Sequence, residues 1–138
     1  NLQVVEGNRT IMADRVDIDF RTEQYTFTGK VQMVEKDTTA KDQAQAPVKL
    51  SVNADKLMYD SQTGEAVAEG NVQANEGDRK SQADKLVYKS NLILLTGKVQ
   101  VTTGDGMRVS AVRMEVDMDK NVVQIYGQTI MSLVLEDN

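Results

Sequence analysis

The sequence predicts an all-β protein, an elongated antiparallel β-sandwich of about four repeats, and three observations carry that reading. Apolar and polar residues alternate in many short runs, the period of a strand with one buried face. No window sustains the three-and-four spacing of an amphipathic helix over ten or more residues. The alternating runs are also copies of one another, so one structural unit recurs along the chain. A single Pro, 9 Gly and Val as the commonest apolar residue point the same way. At 138 residues the chain suits one domain with a core of its own, spanning 1–138.

The strands follow in order. Tyr25, Phe27, Gly29, Val31 and Met33 share one parity, with Thr26, Thr28, Lys30 and Gln32 between them. Ile93, Leu95, Gly97, Val99 and Val101 repeat the pattern, as do Val123, Ile125, Gly127, Thr129 and Met131. Each apolar set is expected to face the interior. The repeat pairs a strand carrying Ala-Asp with a later strand carrying Gly-x-Val. Ala13-Asp14-Arg15-Val16 is answered by Gly29-Lys30-Val31, and Ala54-Asp55-Lys56-Leu57 by Gly70-Asn71-Val72. Ala83-Asp84-Lys85-Leu86 leads to Gly97-Lys98-Val99; Ala111-Val112-Arg113-Met114 leads to Gly127-Gln128-Thr129, where the Asp and the Val are lost. The first cycle is longer than the others by a polar stretch, 37–47, which reads as an inserted loop.

Within each cycle the apolar parity slips by one: Ala54 to Leu57 and Tyr59, Ala83 to Leu86 and Tyr88, Ala111 to Met114 and Val116. Parity decides which face a side chain occupies, so a repeated slip predicts a repeated bulge or corner at the Ala-Asp step. Turn clusters at 61–64, 89–91 and 119–121, and again at 75–78 and 104–106, divide each cycle into three short strands, roughly a dozen in all. The in-phase glycines are expected at inward positions, where they relieve crowding or let the strand bend. Ala66, Ala68 and Ala74 line the second cycle where the others carry larger residues, which predicts a thin, open layer.

Composition removes most chemistry. Without Cys or His there is no thiol nucleophile, Ser-His-Asp triad, haem ligation or Cys/His zinc site. The 16 Lys+Arg against 21 Asp+Glu give a net charge of −5, which argues against nucleic acid as the main partner. The longest apolar stretch, 92–95, is far below the roughly 20 residues of a membrane span. Neither a basic start followed by an apolar stretch nor any other signal-peptide pattern is visible. Asp117, Asp119 and Asn121 mimic the opening of a calcium loop, but Val122 and Gln128 stand where its Gly and Glu belong, so a solvated turn is expected. Asp17 and Asp19 fall on a polar strand face, and Gly104-Asp105-Gly106 reads as a hairpin turn. No cofactor, metal or catalytic constellation emerges, and a non-enzymatic role is expected.

The repeated Ala-Asp-x-Leu-x-Tyr, as in 54–59 and 83–88, followed by Thr28-Gly29-Lys30-Val31, Glu69-Gly70-Asn71-Val72 or Thr96-Gly97-Lys98-Val99, resembles the OstA-like family of lipopolysaccharide transport proteins. The resemblance runs from about Ala13 to Gly127 and departs from the pattern in the fourth repeat. It implies a periplasmic β-jellyroll, V-shaped in section, whose apolar groove carries lipopolysaccharide acyl chains between two membranes. It also implies partnership with other members of the same transport system. The family includes a soluble bridge, a membrane-anchored component and the periplasmic domain of an outer-membrane translocon. With no anchor helix in the sequence, the bridge is the nearest of these, and the membrane-anchored component without its anchor is the second choice.

Under that reading the groove is lined by Tyr25, Phe27, Val31, Met33, Val72, Ile93, Leu95, Val99, Val101, Met114, Val116, Val123, Ile125 and Met131. The 7 Met suit a lining that re-packs around irregular ligands, and equally a dry core. The alternative function is therefore a structural β-repeat module with a filled interior. At the C-terminus, 130–135 is apolar at both parities and uncharged, an edge hazard unless covered. Ile130, Ser132 and Val134 are expected to join a head-to-tail homo-oligomer by strand addition, unless the inserted loop or the segment 2–5 covers that edge within one molecule.

Overall fold

The computed structural model describes residues 2–37, 47–127 and 130–132. Its strands are β1 (Leu2–Glu6), β2 (Arg9–Ala13), β3 (Arg15–Asp19), β4 (Gln24–Lys36), β5 (Val48–Asp60) and β6 (Ala66–Glu76). After these come β7 (Arg79–Lys89), β8 (Leu92–Thr102), β9 (Arg108–Asp117), β10 (Val122–Tyr126) and β11 (Ile130–Ser132). All belong to one antiparallel sheet in the order β1-β2-β4-β5-β6-β7-β8-β9-β10, with β3 also on β4 and β11 also on β9. Among the described residues no helix is long and apolar enough to cross a membrane. The inserted loop falls largely outside the described residues; its base is closed by the Asp37 amide donating to the Pro47 carbonyl at 2.9 Å.

The jellyroll is a single sheet folded along a line of bulges. The second and third cycles hold two long strands each rather than three short ones, β4 to β9 having 10–13 residues, whereas the first cycle begins with the short β2 and β3 and the fourth ends with the short β10 and β11. Pairing continues through the parity slip instead of ending there. The register shifts fall where the Ala-Asp steps predict them: Thr28/Val31 between β4 and β5, Glu69/Val72 between β6 and β7, Thr96/Val99 between β8 and β9. The extra residue lies on the glycine strand. Gly29, Gly70 and Gly97 have φ near +80°, followed by Lys30, Asn71 and Lys98 also at positive φ. Two residues in that conformation turn the strand sharply, so the sheet bends along one line and becomes two facing walls.

The first wall comprises β3, β10 and the halves of the long strands that carry the row Phe27, Leu57, Ala68, Leu86, Leu95, Met114 and Ile125. The second comprises β1, β2, β11 and the halves that carry Ile11, Met33, Val52, Ala74, Ser81, Val101 and Val109. These rows meet in one apolar cluster. Phe27, Met33, Leu50, Leu57, Leu86, Leu95 and Met114 are all but fully withdrawn from water. Each such side chain contributes about 2 kcal/mol by transfer from water, and together they drive the closure of the V. Ala66 and Ala68 are completely buried and Ala74 nearly so, so the layer expected to be open is sealed. Small side chains there let the walls approach instead of leaving a gap.

Candidate functional site

The apolar set read from parity converges on the interior. Phe27, Val31, Met33, Val72, Ile93, Leu95, Val99, Val101, Met114 and Val116 are buried, and Tyr25, Val123 and Ile125 pack half-buried against them. Met131 in β11 is in register with Val109 of β9. Ile130 and Ser132 pair with Ser110 and Arg108 at the C-terminal edge. Val134 lies outside the described residues. The segment 2–5 cannot cover that edge, because β1 pairs with β2 at the opposite end of the sheet. Lys98 is exposed on the outer side.

A recess of about 310 Å³ lies between Glu6 of β1 and Ile18, Phe20, Glu23, Tyr25 and Ser61. Phe20 is 82% exposed at its lip. Tyr25 stacks on Phe27 with ring centroids 6.3 Å apart, so the aromatic surface of the recess continues into the core. A larger cleft, about 700 Å³, is lined by Val87, Leu92, Leu94 and Val122 among others. Their parity is opposite to that of the core set, so this cleft belongs to the outer face of the first wall.

Between its ends the V is closed at the rim by polar groups. Glu35 on the second wall is only 6% exposed. It accepts a hydrogen bond from Arg9 at 3.1 Å, lies 3.8 Å from Lys49 Nζ, and accepts the Tyr88 hydroxyl from the first wall at 2.6 Å. Arg9 also reaches across. Its guanidinium sits over the rings of Tyr59 and Tyr88, at 5.2 and 5.4 Å from their centroids, and donates to the Gly64 carbonyl. Lys49 Nζ donates to Asn91 Oδ1 at 2.7 Å, and the Asn91 amide donates to Asp119. Burial, then the Glu35 carboxylate accepting its hydrogen bond, push the Tyr88 hydroxyl well above its ordinary pKa of 10.0. Burial and the charge of Glu6 raise Tyr59 as well.

Parity analysis passed over this rim cluster, although its signal is in the sequence. Glu35 continues the inward parity of Val31 and Met33, and Arg9 that of Ile11 and Ala13. A carboxylate and a guanidinium on inward positions of neighbouring strands must meet partners or remain in water. Among the described residues no three His, Cys, Asp or Glu side chains are grouped as a metal site, and the Asp117 carboxylate instead accepts the amides of Asp119 and Lys120 in a turn.

Comparison with known proteins agrees with this architecture. The family model described as "LptA/(LptD N-terminal domain) LPS transport protein" matches residues 51–91, which cover most of β5, all of β6 and β7 and the turn after them. No curated protein sequence matches the chain. The crystal structure of LptH from Pseudomonas aeruginosa, the LptA-homologous periplasmic component of a lipopolysaccharide transport device, superposes with a TM-score of 0.72. That match covers 94% of this chain and 95% of the other at 11% sequence identity, so it speaks for the fold alone. In fold over nearly its whole length, and in sequence over residues 51–91, the chain resembles the OstA-like lipopolysaccharide transport proteins.

Proposed function

We propose that the protein is a non-enzymatic periplasmic bridge that shelters lipopolysaccharide acyl chains between its two walls on the way to the outer membrane. One observation carries this reading above all: a continuous apolar interior runs the length of the sheet, with a recess at its N-terminal end lined in part by Ile18, Phe20 and Tyr25. Each methylene taken from water contributes roughly 0.8 kcal/mol. A chain taken from a bilayer gains almost nothing, because it was already dry. Such a protein guards its cargo in transit and leaves the driving force to a partner upstream. Other members of the transport system, or further copies of this chain, would join at the sheet edges, β1 and β3 at one end and β10 and β11 at the other.

Site-specific photocrosslinking to lipopolysaccharide tests the reading. A benzoylphenylalanine in place of Tyr25 or Ile125 should capture the lipid, whereas the same group in place of Lys98 should not. Equal yields at all three positions would mean that the lipid, if bound, does not lie between the walls.

A further inference from the structure

The rim cluster sits where a side entrance to the interior would be. The two walls are joined along the bulge line by the chain itself, and on the far side, among the described residues, by bonds that side chains make. The cross-wall bonds there run from Arg9, Glu35 and Lys49 on one wall to Gly64, Tyr88 and Asn91 on the other. Tyr59 of the first wall also faces Arg9 and Glu6 of the second, so the polar contacts among the described residues run from β1 to the turn after β7. The position held by Tyr59 and Tyr88 in the central repeats is Ile18 in the first and Val116 in the fourth. Neither of those can make a polar bond across the gap.

We propose that Arg9, Glu35, Lys49, Tyr88 and Asn91 form a releasable clasp, and that opening it admits acyl chains sideways into the interior. This inference rests on the lipid-carrying reading above. Its physical logic is the choice of polar groups. An apolar seam of the same shape would close the walls at a lower desolvation cost, but separating it would expose more apolar surface. A clasp of charged and hydroxyl groups exchanges its bonds for water when it opens, so the closed and open states lie closer in free energy. In the closed state every buried side-chain polar atom among the described residues has a partner. The glycines along the bulge line, opposite the clasp, supply the hinge: a small change in their backbone angles swings the rim by a larger distance. Arg9 and Lys49 are long enough to keep hold of Glu35, on their own wall, while the other wall moves away.

The chain has no Cys, so the clasp can be locked selectively. Lys49→Cys and Asn91→Cys are joined by a bismaleimide linker containing a reducible disulfide. Uptake of dansylated undecanoic acid is then followed by the rise in its fluorescence. The bridged protein should take up the probe at least about tenfold more slowly than wild type, the order of one charge-assisted hydrogen bond made permanent, and reduction of the linker should restore the rate. Tyr88→Phe, which removes a single cross-wall bond, should accelerate uptake. A bridged protein that fills at the wild-type rate overturns the side entrance and leaves the ends as the way in. If neither the wild type nor the reduced, unbridged variant takes up probe, the lipid-carrying reading itself falls, and the side entrance with it.

Discussion

The carboxylate of Asp55 occupies the space that a side chain on Gly70 would need. A Cβ built on Gly70 would lie 2.6 Å from Asp55 Oδ2, and Gly70 has φ +82°. The same pairing joins Asp14 to Gly29 and Asp84 to Gly97. In the fourth repeat Val112 stands in the place of the aspartate against Gly127. The two most regular letters of the repeat are thus two halves of one contact.

Gly70→Ala should therefore destabilise the fold by about 2–4 kcal/mol, through left-handed strain and the collision with Asp55 together. Urea unfolding measures it. Asp55→Ala in the same chain removes the carboxylate but keeps the Asp55 Cβ, 2.9 Å from the new one, so it should recover only part of the collision and leave the strain, and the double variant should be somewhat more stable than Gly70→Ala alone.

The second prediction concerns Glu35. Removing it by Glu35→Ala leaves Arg9 without its carboxylate in a largely buried site and should cost about 3–5 kcal/mol. The double variant Arg9→Met, Glu35→Met, which removes both charges and keeps apolar volume, should be distinctly less destabilised than Glu35→Ala. Equal losses in denaturant titrations would mean that the pairing of the two charges is not what holds this part of the rim.

Alkaline pH supplies the third. Tyr88 is surrounded by Glu35, Arg9, Glu76 and Asn91, and its proton is held more tightly folded than unfolded. Its contribution is fully present below the unfolded value of about 10 and is lost as pH rises from there toward the higher folded value. Stability should be flat in this respect up to about pH 9 and should fall above pH 10. Lysines titrate in the same range, so the reading is the difference between wild type and Tyr88→Phe in urea melts at successive pH values. The wild-type curve should fall more steeply.

How much of this was legible follows from the range of each interaction. Parity is local, and it assigned Phe27, Leu95 and Met114 to the interior without reference to any partner. The bulges were legible because the slip from Ala54 to Leu57 is also local. Strand length was not: a turn and a bulge both interrupt alternation, and only pairing through Thr28/Val31 shows that β4 continues across it. The clasp was harder still, since Tyr88 meets Glu35 across 53 positions of sequence. Its trace was the inward parity of a carboxylate, a local conflict that only a distant residue could resolve.

The edges give the last prediction. Among the described residues, folding one sheet into a V leaves its first and last strands with one strand neighbour each, β1 and β3 at one end and β10 and β11 at the other. Such edges attract further strands unless something covers or repels them. At the N-terminal end Val5 and Phe20 are strongly exposed, and at the C-terminal end Val122 and Tyr126 are exposed as well. Pairing one end with the other would join unlike surfaces, so the contact would not close on itself and copies would add head to tail. Each addition would extend the two walls, and with them the apolar interior, by one subunit. Light scattering should show a mean mass that rises with concentration for the intact chain. A chain ending at Thr129, which lacks β11, and Val134→Lys should both shift that rise to higher concentration. An intact chain that stays monomeric into the high micromolar range, with neither change altering its mass, would mean that the ends do not pair, and that any continuous path for lipid must be built by a different partner at each edge.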